Sequence, residues 1–537
     1  MAGKGDRLEN DIKATPATVE HTPVRLKSPQ KIQTPDHELK KFVELQAGFG
    51  ETYGRLMADP NAPRTVLVVP SLSLDEDVLQ KISGVLHYEE RMLCMLMLLR
   101  QPRTHVIYLT SQPIESTIID YHLHLMPGIP VSHAKNRLTL MSAHDGSMTC
   151  LTQKVLQRPR MMNRLRDRIR DPNSAYISCF NSTPAERALA VALGLPLYAC
   201  DPALAHLGTK SGSRKVFREA GVPMPDGVED LRDERDLVQG IAELRRRNER
   251  VERVAIKLNE GFSGEGNATF SLKGCPTNGE LETWIRDALP SGILCEASGE
   301  SWEIFKEKLR EMGGVVEHYI ESEEKRSPSV QARIDPLGCE HIISTHDQIL
   351  GGPSGQIYLG STFPADQAYR LQIQEMGLRV SQVLRQYGVL GRFGIDFIVV
   401  REGEHWRPYA IEINLRKGGT THTYMQLQHL TDGEYDPDSG LYVTPRGQPR
   451  YYYASDNLQK ASYKGLTPED LIDISVQHQL HFHGATQQGV VFHLIGAFSE
   501  FGKIGVLCIG DSYQRAHEFY RETVSVLDRE TGPGEKR

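Results

Sequence analysis

Asp396, Glu412 and Asn414 are the residues whose types and spacing point first to chemistry. Asp396 lies in Gly391-Arg-Phe-Gly-Ile-Asp-Phe-Ile-Val-Val400, and the other two in Tyr409-Ala-Ile-Glu-Ile-Asn-Leu-Arg-Lys-Gly-Gly419. Both runs read as strands, whose side chains alternate faces. Ile395, Phe397 and Val399 therefore point one way and Asp396 the other. Likewise Ile411, Ile413 and Leu415 point one way, and Glu412 and Asn414 the other. A hairpin centred near Glu404 sets Asp396 opposite Glu412 and Gly394 opposite Asn414. Three oxygen donors then share a patch with Ile398 and Val400, where carboxylates are costly unless paired or bound to a cation. Hard oxygen ligands suit Mg²⁺, which keeps several waters and takes its remaining ligands from substrate phosphates. The plainer alternative is a hairpin with its polar face in water. It would not alternate acids with Ile398 and Val400. Nor would it need the basic exit Arg416-Lys417-Gly418-Gly419, whose backbone N–H groups are expected to be free beside the acids.

Two lysines supply the complementary charge. Lys210, in Gly208-Thr-Lys-Ser-Gly-Ser-Arg-Lys-Val-Phe, sits at the start of a helix expected over residues 211–220. A helix N-terminus favours anions through its unpaired N–H groups and its dipole. Lys257, in Val254-Ala-Ile-Lys-Leu258, falls within an apolar strand, where lysine is rare unless paired. A loop carrying Gly261, Ser263, Gly264 and Gly266 follows it. Glycines let backbone N–H groups approach phosphate oxygens closely, so the pair reads as a phosphate clamp. A bare hairpin loop is the alternative.

The elements that must hold these residues follow a simple order. Residues 1–35 have no apolar period and read as a disordered tail. Strands are expected at residues 65–70, 105–110, 175–180 and 195–198, and a buried helical stretch at 92–99. A helix over 183–193 carries Thr183-Pro184 at its start and Gly194 as its stop. Strand–helix alternation makes residues 36–204 a parallel α/β domain. Residues 205–430 carry the candidate nucleotide and metal site. Residues 431–537 form a C-terminal α+β extension, opening with a Gly-, Pro- and Asp-rich linker or lid before 450.

At 537 residues the chain is long enough for two to four domains. A net charge of −7 argues against a dedicated nucleic-acid binder. The basic stretches 158–170 and 245–253 contain acids and read as solvated helix faces. The longest apolar run is far short of the roughly 20 residues of a membrane span. The acidic N-terminus lacks a signal or transit pattern. Eight cysteines without a C-x-x-C pair suit a cytoplasmic protein with reduced thiols. There is no G-x-G-x-x-G after a strand in the N-terminal part, and no G-x-x-x-x-G-K-[ST] anywhere. His478, His481 and His483 lack an acid at ligand spacing, and Tyr451-Tyr-Tyr453 reads as core or interface.

The hairpin resembles the metal-binding strand pair of the ATP-grasp ligases, in which an acid on one strand and Glu-x-Asn on the next hold two Mg²⁺ ions between the phosphates of ATP. Asp396, Glu412, Asn414 and the following Arg416 occupy those places. Lys210, Lys257, the glycine loop and Gly314-Val-Val-Glu-His-Tyr-Ile-Glu321 complete the order of the family's parts. The resemblance implies an N-terminal Rossmann-like pre-ATP-grasp domain, a two-subdomain ATP-grasp fold and the C-terminal extension. It implies ATP and two Mg²⁺, with Lys210 and Lys257 on phosphates and Gly264 and its neighbours over the β- and γ-phosphates. Glu317, His318, Tyr319 and Ile320 would line the adenine, largely through backbone groups. A ribose-binding acid usual on the next strand is missing from Ser327-Pro-Ser-Val-Gln-Ala-Arg-Ile334, so Glu321 or Glu323 takes that place.

The pheganomycin-type peptide ligases are similar also at Ser344-Thr-His-Asp-Gln-Ile-Leu-Gly-Gly352, Tyr358-Leu-Gly-Ser-Thr-Phe-Pro364 and Gly489-Val-Val-Phe-His-Leu-Ile-Gly496. The implied reaction activates a small-molecule carboxylate, an amino acid or peptide, as an acylphosphate and passes the acyl group to an amine. Arg416 would steady the acylphosphate. Arg392, four residues before Asp396 and on its face, would assist, with Arg333 on the preceding strand a further candidate. Substrate choice falls to the N-terminal domain, the Thr420-Thr421-His422 loop and the C-terminal region. Neither nucleic acid nor membrane is an expected partner, and a homo-oligomer stays open. Two alternatives compete: a carboxylase-like enzyme using bicarbonate, disfavoured by the absence of a Met-Lys-Met carrier segment, and a regulatory ATP-binding protein without chemistry.

Overall fold

Runs of β-branched residues separated by helical periods build the N-terminal part as a parallel sheet. Strands β1 (Arg64–Val69), β2 (Thr104–Thr110), β3 (Leu138–Ser142) and β4 (Ala175–Cys179) pair in the order β3-β2-β1-β4. The computed structural model describes residues 36–261, 266–276, 279–296, 300–351 and 357–532. The tail at 1–35 and the loop residues Ser263 and Gly264 lie outside the described residues. Every residue of β1 and β2 is buried, as a parallel sheet covered on both faces requires. Helix Pro184–Leu193 begins with reciprocal bonds between Thr183 and Glu186 and ends at Gly194, whose φ is 68°. The strand expected at 195–198 reduces to a single bridge between Ile177 and Leu197. Pro196 has no N–H to give to a ladder. The buried stretch at 92–99 lies within Val85–Arg100, a run of 3₁₀ turns.

A second, antiparallel sheet follows: β5 (Gly227–Leu231), β6 (Arg253–Leu258), β7 (Asn267–Ser271), β8 (Ile293–Cys295) and β9 (Gly314–His318), in the order β5-β9-β6-β7-β8. Val254, Ile256 and Leu258 of β6 enter a core with Ile241, Phe270, Ile285, Phe305 and Val316. The alternation puts Lys257 on the opposite face. The basic stretch 245–253 is the end of helix Glu234–Arg247, a loop and the first residue of β6, not one helical face.

The third sheet holds β10 (Lys325–Arg326), β11 (Pro328–Ile334), β12 (Glu340–Gly351), β13 (Ile357–Phe363), β14 (Gly391–Glu402) and β15 (His405–Asn414). After a small hairpin of β16 (Glu434–Asp436) and β17 (Leu441–Val443), the strands β18 (Tyr451–Gln459), β19 (Gly489–His493) and β20 (Lys503–Gly510) extend it. The order is β10-β14-β11-β12-β13-β18-β20-β19, with β15 on β14, so one sheet runs through the position expected as a domain boundary near 430. Helix Arg370–Gln386 lies under it, with Ile373 and Val380 packed among Val330, Phe393, Ile395 and Phe397. The C-terminal strands share a core with the N-terminal part, where Val491, Phe492 and Leu507 join Leu96, Tyr108 and Leu123. Among the described residues no helix is long and apolar enough to cross a membrane.

Candidate nucleotide and metal site

The β14–β15 hairpin turns at Gly403-Glu404, between the paired residues Glu402 and His405. A two-residue turn continued without a break would set Asp396 opposite Ile411. A bulge interrupts the ladder between Asp396 and Phe397 and leaves Ile411 without a partner. Asp396 thereby faces Glu412 and Gly394 faces Asn414, the register expected from the sequence. The bulge changes one expectation. Ala410 joins Ile413 in the core, and Ile411 is only partly buried.

The three oxygen donors meet in a hydrogen-bonded row. Asp396 accepts from the Asn414 side-chain amide at 2.8 Å and from the Gln348 amide on β12 at 2.7 Å. Asn414 Oδ1 accepts from Arg416 at 3.2 Å. Lys210 Nζ contacts the Glu412 carboxylate. Burial, and then the like charge of Glu412, push the Asp396 carboxyl up to about 6. Two acids and one amide oxygen form the patch, with Lys210 against Glu412 and the Arg416 charge acting on both acids. This donor set fits a hard divalent cation.

Lys210 opens helix Lys210–Glu219, whose cap is the Thr209 side chain accepting from Gly212 N–H at 3.0 Å. Lys257 stands differently. Its Nζ lies 2.7 Å from Glu317 on β9, and Glu317 also takes 2.7 Å from Arg214. Burial acts to raise the Glu317 carboxyl, but the two cations outweigh it and hold it below its usual value. The Glu317 side chain is thus the counterion of Lys257 and Arg214. The His318 and Tyr319 N–H groups are spent on Asp226 and Arg253 carbonyls, while Ile320 and Glu321 lie past the end of β9. Glu321 is exposed, 3.6 Å from Arg253. Gly261 is exposed, and Gly266, at φ 77°, packs against Leu258. A side chain at Gly266 would collide with that leucine and strain the backbone.

The basic exit of the hairpin is not the open N–H cradle expected. Arg416 N–H bonds Asn414 O, Lys417 N–H bonds Phe180 O, and Gly418 N–H bonds Thr421 Oγ1. The buried Lys417 ammonium bonds Ser178 and the Cys179 carbonyl, tying the exit to the carboxyl end of β4. Ligands of open α/β sheets gather at such strand ends. Thr420, Thr421 and His422 form the first turn of helix Gly419–Thr431, not a loop, and all three are buried. Arg392 sits directly opposite Arg333 of β11 and, among the described residues, bonds neither Arg416 nor the acids.

Sequence reading missed Gln348, Arg214 and Asp456. Gln348 lies in a segment noted only for its resemblance, and nothing local marks it as the partner of Asp396. Asp456 joins His422 at 3.1 Å and His493 at 2.8 Å in a buried cluster. Arg91 lies 3.6 Å from the same carboxylate, which weighs against a cation there. His478 pairs with Glu530 at 2.9 Å. A cavity of about 620 Å³ lined by Arg214, Asp226 and Glu229 contains none of the candidate phosphate or metal residues.

A family profile described as "IQCH-like, ATP-grasp" matches residues 202–286 and 291–438, and one described as "PGM1 C-terminal domain" matches residues 470–523. The chain is 28% identical over 484 residues to L-propargylglycine--L-glutamate ligase of Streptantibioticus cattleyicolor, covering 89% of this chain and 96% of that protein. It is 24% identical over 400 residues to IQ motif-containing protein H of Danio rerio, covering 66% of this chain and 38% of that one. Among solved structures, the biotin carboxylase ATP complex from Campylobacter jejuni superposes with a TM-score of 0.51 at 12% identity, covering 88% of this chain and 96% of that one. The biotin carboxylase domain of Hydrogenobacter thermophilus 2-oxoglutarate carboxylase, in complex with MgADP, ADP and bicarbonate, gives 0.51 at 14% identity, covering 86% and 89%. These likenesses establish the fold, a parallel N-terminal sheet followed by antiparallel sheets. The IQCH-like, ATP-grasp profile covers the second sheet and the third as far as residue 438, and in that part the chain is similar to the family.

Proposed function

We propose that the protein is an ATP-dependent carboxylate–amine ligase that forms an amide or peptide bond and releases ADP and phosphate. The observation that carries this reading is the Asp396–Glu412–Asn414 patch, set in register on one hairpin with Lys210 against it. The ligase relative, aligned over most of both chains, supports an amino acid as one substrate.

In this reading Asp396, Glu412 and Asn414 hold Mg²⁺, which would neutralise charge on the phosphates of ATP. Lys210 and Lys257 bind phosphate oxygens, with Lys257 held in place by Glu317. Residues 261–266 cover the phosphates and exclude water that would hydrolyse the acylphosphate. The adenine lies along residues 317–321, with the Ile320 and Glu321 backbone beyond the strand end and Glu321 toward the ribose. The substrate carboxylate attacks the γ-phosphorus, ADP leaves, the amine attacks the acyl carbon, and phosphate departs. Negative charge grows first on the transferring phosphoryl group and then on the tetrahedral oxygen. Fixed cations stabilise such charge by placement alone. Arg416, oriented by Asn414, is the residue assigned to that task.

The test is ADP release from Mg-ATP with pools of amino acids and short peptides. Release that needs both a carboxylate donor and an amine, and that disappears in Glu412→Ala, supports the ligase. ATP binding without substrate-dependent turnover in any pool moves the assignment to an ATP-binding regulatory protein.

A further inference from the structure

Arg333 and Arg392 face each other across β11 and β14, on the side of the sheet away from Val330, Ala332, Phe393 and Ile395. Like charges directly opposite each other on neighbouring strands repel. Among the described residues neither arginine has an ion pair, and the Arg333 Nε is buried without a hydrogen-bond partner. Elsewhere on this chain, buried arginines stand close to acids, as Arg214 with Glu229 and Glu317, Arg187 with Glu38 and Arg91 with Asp456, or bond carbonyl oxygens, as Arg64 and Arg450 do.

Neutral donors gather around the pair. The Tyr424 hydroxyl, on a side chain 1% exposed, has no partner and lies within electrostatic reach of Arg392. The Tyr198 phenol lies within reach of both arginines. The adjoining wall is close: a Cβ on Gly391 would stand 2.9 Å from the Ala199 Cα. Two guanidinium forks set opposite each other without an anion of the protein's own, near a buried hydroxyl without a partner, are the donors a carboxylate takes.

The position separates this group from the reacting phosphate. Arg392 lies four residues before Asp396, roughly 13 Å along the strand at about 3.3 Å per residue. We propose that Arg333, Arg392 and Tyr424 bind a free carboxylate of a substrate, one that is not the carboxylate being activated. The inference rests on the ligase reading and narrows its substrates to molecules with a second anionic end. That end is either the α-carboxylate of an amino-acid acceptor, which survives in the product, or the remote carboxylate of a dicarboxylate donor.

The experiment uses the full chain as wild type, Arg392→Met, Arg333→Met and Glu412→Ala. With a substrate pair found active in ADP release, each free carboxylate is replaced in turn by a carboxamide. In the wild type one replacement raises KM by about 50-fold, the loss expected of a charged hydrogen-bonded contact. In Arg392→Met and Arg333→Met the acid and the amide become equivalent, and KM for ATP is unchanged. Loss on amidating the amine substrate identifies its α-carboxylate; loss on amidating the donor identifies the donor's second carboxylate. Full discrimination retained in both variants overturns the proposal.

A second measurement does not depend on turnover. L-Glutamate, glutarate and succinate are titrated into the protein and thermal unfolding is followed. Protection of the wild type and of Glu412→Ala, but not of Arg392→Met, supports the carboxylate site even where the ligase reading fails. No protection of the wild type by any of the three, or equal protection of Arg392→Met, overturns it.

Discussion

Two clusters of opposite charge flank the candidate nucleotide site, and they differ in how far they are neutralised. On β6 and β9, Glu317 is enclosed by Lys257 and Arg214, and burial does not prevent its ionisation. On β14 and β15, Asp396 and Glu412 share Lys210, two side-chain amides and the more distant charge of Arg416, and burial still holds the Asp396 carboxyl partly protonated near neutrality. The first cluster is complete without a ligand. The second gains from a cation. A buried charge that has its partners holds a structure, and one that lacks them identifies where a ligand belongs.

The contrast is tested most strongly at Glu412. Glu412→Ala is expected to lower ADP-forming turnover by about 10³-fold or more, the scale of lost electrostatic stabilisation at a phosphoryl-transfer site. Its unfolding midpoint should stay near wild type. A variant that keeps its turnover removes the metal assignment. Glu317→Ala should behave in the opposite way. It leaves Lys257 without its counterion and Arg214 with Glu229 alone, so chemical denaturation should reveal a loss of about 3–5 kcal/mol. A Glu317→Ala protein as stable as wild type would mean that the cluster is not a closed structural unit.

Asp396→Asn separates stability from function within the acidic cluster. The folded-state carboxyl titrates at about 6 against a usual 3.8. Because the raised value means the folded state holds the proton more tightly, this group's contribution to stability declines as pH rises from about 4 to about 6, and stays low above that. Asparagine removes the decline. At pH 7.5 the metal-free variant should be more stable than wild type, by at most about 3 kcal/mol, while turnover is lost. An unchanged stability–pH profile contradicts the assigned electrostatics. The smallest effect is kinetic. Turnover in limiting Mg²⁺ should fall on the acid side near pH 6, and excess Mg²⁺ should move that limb to lower pH by competing with the proton. A limb that ignores Mg²⁺ belongs to another group.

The register of the β14–β15 hairpin was legible in the sequence because a strand period of two allows few registers, and acids interleaved with Ile398 and Val400 disclose which face is enclosed. The capped helix after Thr183 was legible for a similar local reason, as Thr, Pro, Glu and Gly each occupy the one position their chemistry favours. What escaped was non-local. Gln348 reaches Asp396 from 48 residues away, and Arg214 reaches Glu317 from 103. The free N–H groups expected after Asn414 are taken up by Phe180, a partner more than two hundred residues earlier in the chain, and by a hydroxyl of the helix that starts there. The 195–198 strand failed because hydrophobicity alone does not register a missing donor. The sheet running past residue 430 escaped because a polar linker-like sequence between strands looks the same whether the next strand joins an old sheet or begins a new one.

The unpaired Ile411 has a consequence for how this hairpin can change over time. The tight turn and the acidic patch would call for registers one residue apart, and that single residue absorbs the difference. Its side chain is therefore nearly free to drift among apolar types, and its presence does not set the pairing of Asp396 with Glu412. A one-codon deletion there would remove the bulge and leave Ala410 opposite Phe397 and Glu412 opposite Asp396, so the donor row would keep its phase. The hairpin tolerates both substitution and loss at this point, because the residue belongs to neither stretch of the ladder.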